Sequence, residues 1–202
     1  MRLLPLLFLT LCILGSRLSA QDETAPTNPP PKLEPWQIAG MRAAFGDSRV
    51  PYAESSWDVQ REALKICAEL GWGSALDAHE ISGYLSSLDE AAQRASVKAL
   101  GQCGKEASFS MKDLVALLAK DAPAMAEEAS NALCQMAAAG APAADEVEVL
   151  LESDNATVRA RGAATLGSMG HAFAAQLAPL VEDQDQFVRL VTVSALAKIK
   201  DG

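Results

Sequence analysis

The chain has 202 residues, half of them hydrophobic, with 26 acidic against 17 basic side chains and a net charge of −9 at pH 7. That balance argues against a general affinity for nucleic acid or anionic lipid, both of which repel it. Two histidines and four cysteines leave little material for a metal centre or a histidine-based catalytic constellation.

The first twenty residues read MRLLPLLFLTLCILGSRLSA. Arg2 precedes an apolar run from Leu3 to Leu14, and the small-residue exit Leu18-Ser19-Ala20 follows. This is the layout of a secretory signal peptide over 1–20, cleaved after Ala20. The run is shorter than the ~20 residues a membrane-spanning helix needs; an uncleaved anchor is the alternative. Cys12 follows Leu11 rather than a small residue, which argues against a lipoprotein. The expected product is exported, periplasmic or secreted, with no membrane insertion after cleavage. It keeps 15 basic against 26 acidic residues, a net of −11. Residues 21–35, QDETAPTNPPPKLEP, hold five prolines and no apolar periodicity, so they read as a semi-extended tether. Residues 36–54 read as an N-terminal helix and connector. Pro35 sits near the helix's first turn and Gly46 just past its end.

From residue 55 to residue 202 the chain repeats itself. VQREALKICAELG (59–71) returns as AQRASVKALGQCG (92–104), MAEEASNALCQMA (125–137), VRARGAATLGSMG (158–170) and VRLVTVSALAKIK (188–200), at steps of 33, 33, 33 and 30 residues. Cys67, Leu100, Leu133, Leu166 and Leu196 share one position; Leu70, Cys103, Met136, Met169 and Ile199 share another. Between these segments lie the trios Ile81, Tyr84, Leu85; Leu114, Leu117, Leu118; Val147, Leu150, Leu151; and Leu177, Leu180, Val181. Spacing of i, i+3, i+4 puts each trio on one helical face. Each unit is thus two amphipathic helices joined by a turn, and Gly71, Gly104, Gly140 and Gly170 mark the turns. Pro123 fits a first helical turn. Pro179 either opens a short helix or kinks one. One pair cannot bury both apolar faces, so the expected fold is an all-α solenoid of about four and a half stacked pairs.

The pattern of two segments, LLESDNATVRARGAATLGSMG and LAPLVEDQDQFVRLVTVSALAKI, resembles the HEAT repeat. The likeness is greatest to the short bacterial kind related to phycobilin lyases. Both segments have an acidic turn, then Val-Arg, then small residues, then Leu. The tetratricopeptide and ankyrin signatures are absent. The resemblance implies a right-handed α-α superhelix over about 55–202. It also implies that the acid before Val-Arg bonds the arginine across the turn: Asp154 with Arg159, and Asp183 or Asp185 with Arg189. Earlier units depart from it, with Gln60, Gln93 and Ala126 in place of the arginine.

No catalytic residue, cofactor or metal ligand is assigned. His79-Glu80 resembles the His-Glu pairs with which deoxyhypusine hydroxylases, also HEAT solenoids, hold iron, but a single pair does not build such a site. Cys67, Cys103 and Cys134 stand at repeat positions held elsewhere by Leu, Met or Gly. They read as core packing, or as a Cys67–Cys103 or Cys103–Cys134 bridge. Asn155-Ala156-Thr157 is a glycosylation sequon in form and is read as accidental.

Binding surfaces come from patterning. Outward positions of the third unit's second helix are acidic, with Asp145, Glu146, Glu148 and Glu152; they suit a basic protein segment or form a solvated face. Leu190 and Val191 stand where Arg94 and Ala95, Glu127 and Glu128, or Ala160 and Arg161 do. They read as a contact for another protein or a second copy, or as residues buried by a tilt of the last helix. The expected function is a non-catalytic protein-interaction scaffold of the envelope or secreted space. The alternatives are an enzyme or accessory related to phycobilin lyases and a self-assembling envelope protein.

Overall fold

The computed structural model describes residues 33–45 and 57–201. The signal-like segment, the tether up to residue 32 and most of the connector lie outside the described residues. The described residues form helices and turns with no strand, so the fold is all-α. None of these helices is long and apolar enough to cross a membrane. The chain divides into two compact units, Met1–Ala99 and Leu100–Gly202.

In the first unit, α1 (Pro35–Phe45) packs on α2 (Trp57–Glu69). Pro35 opens α1, where a missing N–H costs nothing. Met41, Ala44 and Phe45 are buried on α1, and Ala63, Leu64, Cys67 and Ala68 on α2. The Cys67 thiol donates to Met41 Sδ at 3.5 Å. The second helix of this pair is α3 (Ala78–Ser82), prolonged by a 3-10 turn over Gly83–Ser86. Asp77 caps α3, its carboxylate accepting from the His79 and Glu80 amides. Tyr84 is buried, its ring tilted at 39° against Phe45 with centroids 5.9 Å apart, and donates to Gln60 Oε1 at 3.1 Å. Helix α4 (Glu90–Cys103) begins in this unit, capped by Asp89 Oδ1 on the Ala91 and Ala92 amides.

The second unit carries the repeats that are clearest in sequence. Its long first helices are α6 (Pro123–Ala138), α8 (Ala156–Met169) and α10 (Gln186–Asp201). Its second helices are shorter: α5 (Met111–Ala119), α7 (Ala143–Glu148) and α9 (Ala174–Leu177), the last two continued by 3-10 turns over Val149–Glu152 and Ala178–Glu182. Successive first helices pack on each other, α6 on α8 and α8 on α10, and each second helix packs on the first helix that follows it. The repeated leucines Leu100, Leu133 and Leu166 are fully buried at 0% exposure, each contributing roughly 1.5–3 kcal/mol of hydrophobic stabilisation. Of the second-helix trios, Leu114, Leu117 and Leu118 are all buried. Leu151 is half-buried and Val181 exposed. A 3-10 turn advances by 120° per residue rather than 100°, so the third member rotates off the core face.

Helix ends follow local chemistry. Pro123 stands in the first turn of α6 and Pro179 in the first turn of its 3-10 segment. The second proline therefore opens a turn and kinks nothing. In the third repeat α6 runs past Ala137, the position equivalent to Gly71, Gly104 and Gly170, and the exit falls at Gly140. Gly140 has φ of +83°, a left-handed conformation that favours glycine.

The first helices cross through small residues at repeat-equivalent positions. A Cβ at Gly101 would lie 2.7 Å from the Ala132 Cα, and one at Gly167 would lie 2.5 Å from the Ala195 Cβ. Between these two contacts in the series, the Cys134 thiol donates to the Thr165 carbonyl at 3.7 Å, and Ser130 and Thr165 share a hydroxyl bond of 2.8 Å.

Candidate protein-binding surface

The turns that lead into α8 and α10 hold the second unit's repeats in register. Ser153 Oγ accepts from the Asn155 amide at 3.2 Å, and Asn155 Oδ1 accepts from the Thr157 amide at 2.9 Å to cap α8. In the next turn Asp183 Oδ1 accepts from the Asp185 amide at 2.8 Å. Asp185 Oδ1 then accepts from the Phe187 and Val188 amides to cap α10. A carboxylate, amide or hydroxyl in these places satisfies backbone donors that the helix leaves open.

The arginines are placed differently from the cross-turn pairing that the resemblance implies. Arg159 is buried, and its Nε and Nη2 reach the two oxygens of Asp183, each at 2.8 Å. Its Nη1 donates to the carbonyls of Ser153 at 2.7 Å and Asp154 at 3.2 Å. Asp154 therefore contributes its backbone oxygen to Arg159, and the carboxylate partner comes from the following repeat. Arg189 likewise donates from Nη1 to the Asp183 and Gln184 carbonyls, at 2.7 and 3.2 Å, while Asp185 serves as helix cap. The two-pronged hydrogen bond from Arg159 holds the Asp183 carboxyl below the usual carboxylate range, and the same bond raises the Arg159 guanidinium.

Ala126 stands where the third repeat would carry this arginine. Arg161 supplies the missing donor from the next first helix, its Nη1 reaching the carbonyls of Leu118 at 2.9 Å and Lys120 at 2.6 Å. Sequence reasoning missed this role; the only local signal is the alanine itself. In the first unit Gln93 does the equivalent work, donating from Nε2 to the Leu85 carbonyl.

The expected acidic surface lies on α7 and its 3-10 extension. Ala143, Val147 and Leu150 are buried, which turns Asp145, Glu148, Val149 and Glu152 outward. Glu146 lies half-buried on the flank. Val149 is 69% exposed between Glu148 and the Asp145–Glu152 pair, at the i, i+3, i+4 and i+7 spacing that makes one face. Asp145, Glu148 and Glu152 form no salt bridge or side-chain hydrogen bond among the described residues, so their charge is not neutralised within them. Repeat-equivalent positions on the neighbouring second helices are Ala116 and Pro179, both exposed.

Helix α10 separates the two residues proposed as an end contact. Val191 is half-buried and packs against the cluster of Ala160, Leu180 and Val188. Leu190 is 67% exposed, with Phe187 and Val193 exposed on the same side. Phe187 and Val193 belong to this surface and were not singled out from sequence, although their spacing of three around Leu190 was legible.

Cys67, Cys103 and Cys134 are thiols in the structure rather than bridged. Burial pushes the Cys134 thiol up, opposed by a hydrogen bond with Ser130, so it stays protonated at neutral pH. No group of three His, Cys, Asp or Glu side chains suited to a metal ion occurs among the described residues.

No family model matches the chain, and no curated protein matches it. Among solved structures it is similar to an engineered protein (19% identity, TM-score 0.45, covering 82% of this chain and 80% of that one). It is also similar to a designed armadillo repeat protein (15% identity, TM-score 0.43, 81% and 82%). A third similar structure is a designed armadillo repeat protein in complex with a (KR)4 peptide (16% identity, TM-score 0.43, 81% and 82%). The all-α repeat assignment rests on the chain's own helices and their packing.

Proposed function

We propose that the protein is an exported, non-catalytic interaction module, and that the α7 surface binds a basic protein segment carrying an apolar side chain. The observation that carries this reading is the exposed Val149 among Asp145, Glu148 and Glu152, none of them neutralised by a described residue. Acids on one face attract a cationic segment and speed its encounter, and an apolar side chain seated on Val149 adds burial. The apolar leader supports export, and the scarcity of histidine supports a role without chemistry of its own.

The test is fluorescence anisotropy with a labelled Lys/Arg peptide containing one Leu, against an acidic control peptide. The triple variant Asp145→Asn, Glu148→Gln, Glu152→Gln should weaken binding by about tenfold or more and flatten its salt dependence. Equal binding by wild type and triple variant, or equal binding of acidic and basic peptides, removes the proposal. Retention of the chain in the cytoplasmic fraction of its own cells removes the export part.

A further inference from the structure

We draw no further inference here: the strongest candidate, the surface patch formed by the exposed, repeat-equivalent residues Ala116, Val149 and Pro179 on the second helices of the second unit and their 3-10 extensions, belongs at Val149 to the acidic surface already described, and nothing in the structure shows what covers the rest of it.

Discussion

Replacing Gly167 with alanine sets two well-measured effects of opposite sign against each other. In an ordinary helix interior, Gly→Ala stabilises by about 0.8–1.0 kcal/mol, because alanine loses less backbone entropy. At Gly167 the new methyl would lie 2.5 Å from the Ala195 Cβ, 3.1 Å from its Cα and 3.4 Å from its carbonyl oxygen. Normal carbon contacts are ~3.5–4.0 Å, so α8 and α10 must separate by roughly 1 Å. No rotamer change relieves this, since the obstructing atoms are Cβ and backbone. Overpacking of this kind costs about 1–3 kcal/mol, which outweighs the propensity gain and leaves a net loss of about 1 kcal/mol. In a chain of this size that lowers Tm by roughly 2–4 °C. Gly83 is the control: it is helical at φ −57° and exposed, and a Cβ there meets nothing within 4 Å. Gly83→Ala should therefore stabilise by about 0.4–1 kcal/mol. Urea and thermal unfolding read both signs. Adding Ala195→Gly to Gly167→Ala should recover at least ~0.5 kcal/mol relative to the sum of the single changes, as contacting sites do. If Gly167→Ala stabilises as much as Gly83→Ala, α8 and α10 do not approach as described, and the repeat register built on that crossing is wrong.

Two further outcomes follow from the charge and thiol environments. The Asp183 carboxyl is held low mainly by its hydrogen bonds from Arg159. Its stabilising contribution is thus present above the unfolded value near ~3.9 and is lost as pH falls through the lower folded value. Tm measured from about pH 6 down to about pH 2 should fall less steeply for Asp183→Asn than for wild type; parallel curves refute the ion pair. Cys134, half-buried with its thiol raised by burial, should react with iodoacetamide at pH 8 far more slowly than free cysteine and at the free rate once the chain is unfolded in urea. Fast alkylation in the folded protein counts against its packing beside Thr165.

Much of the architecture was legible because helical periodicity is a local property. Leu100, Leu133 and Leu166 recur at equivalent places because each faces the same core, and Asn155 and Asp185 announce helix starts because only a short polar side chain reaches the open amides. The acidic face was readable for the same reason: Asp145, Glu148 and Glu152 need only the helical repeat to share a side. Other features escaped. The carboxylate that Arg159 binds is 24 residues away, on the next repeat's turn, whereas the resemblance implies the cross-turn acid Asp154. Arg161's service to the end of α5 answers the absence of an arginine at Ala126, a compensation across 41 to 43 residues.

By itself the sequence determined the helical pairs, their caps and turns and the acid-rich surface, because each depends on spacing within about two helical turns. The tertiary structure alone decided how the first helices cross, through Gly101 on Ala132 and Gly167 on Ala195. It also decided which of two adjacent apolar residues on α10 is packed and which is open. Val191 and Leu190 differ by one 100° step around the helix, and which side of that step meets Ala160 and Leu180 depends on the helix's rotation against its neighbour. That rotation is fixed by contacts between repeats, where no periodicity within a single helix can report it.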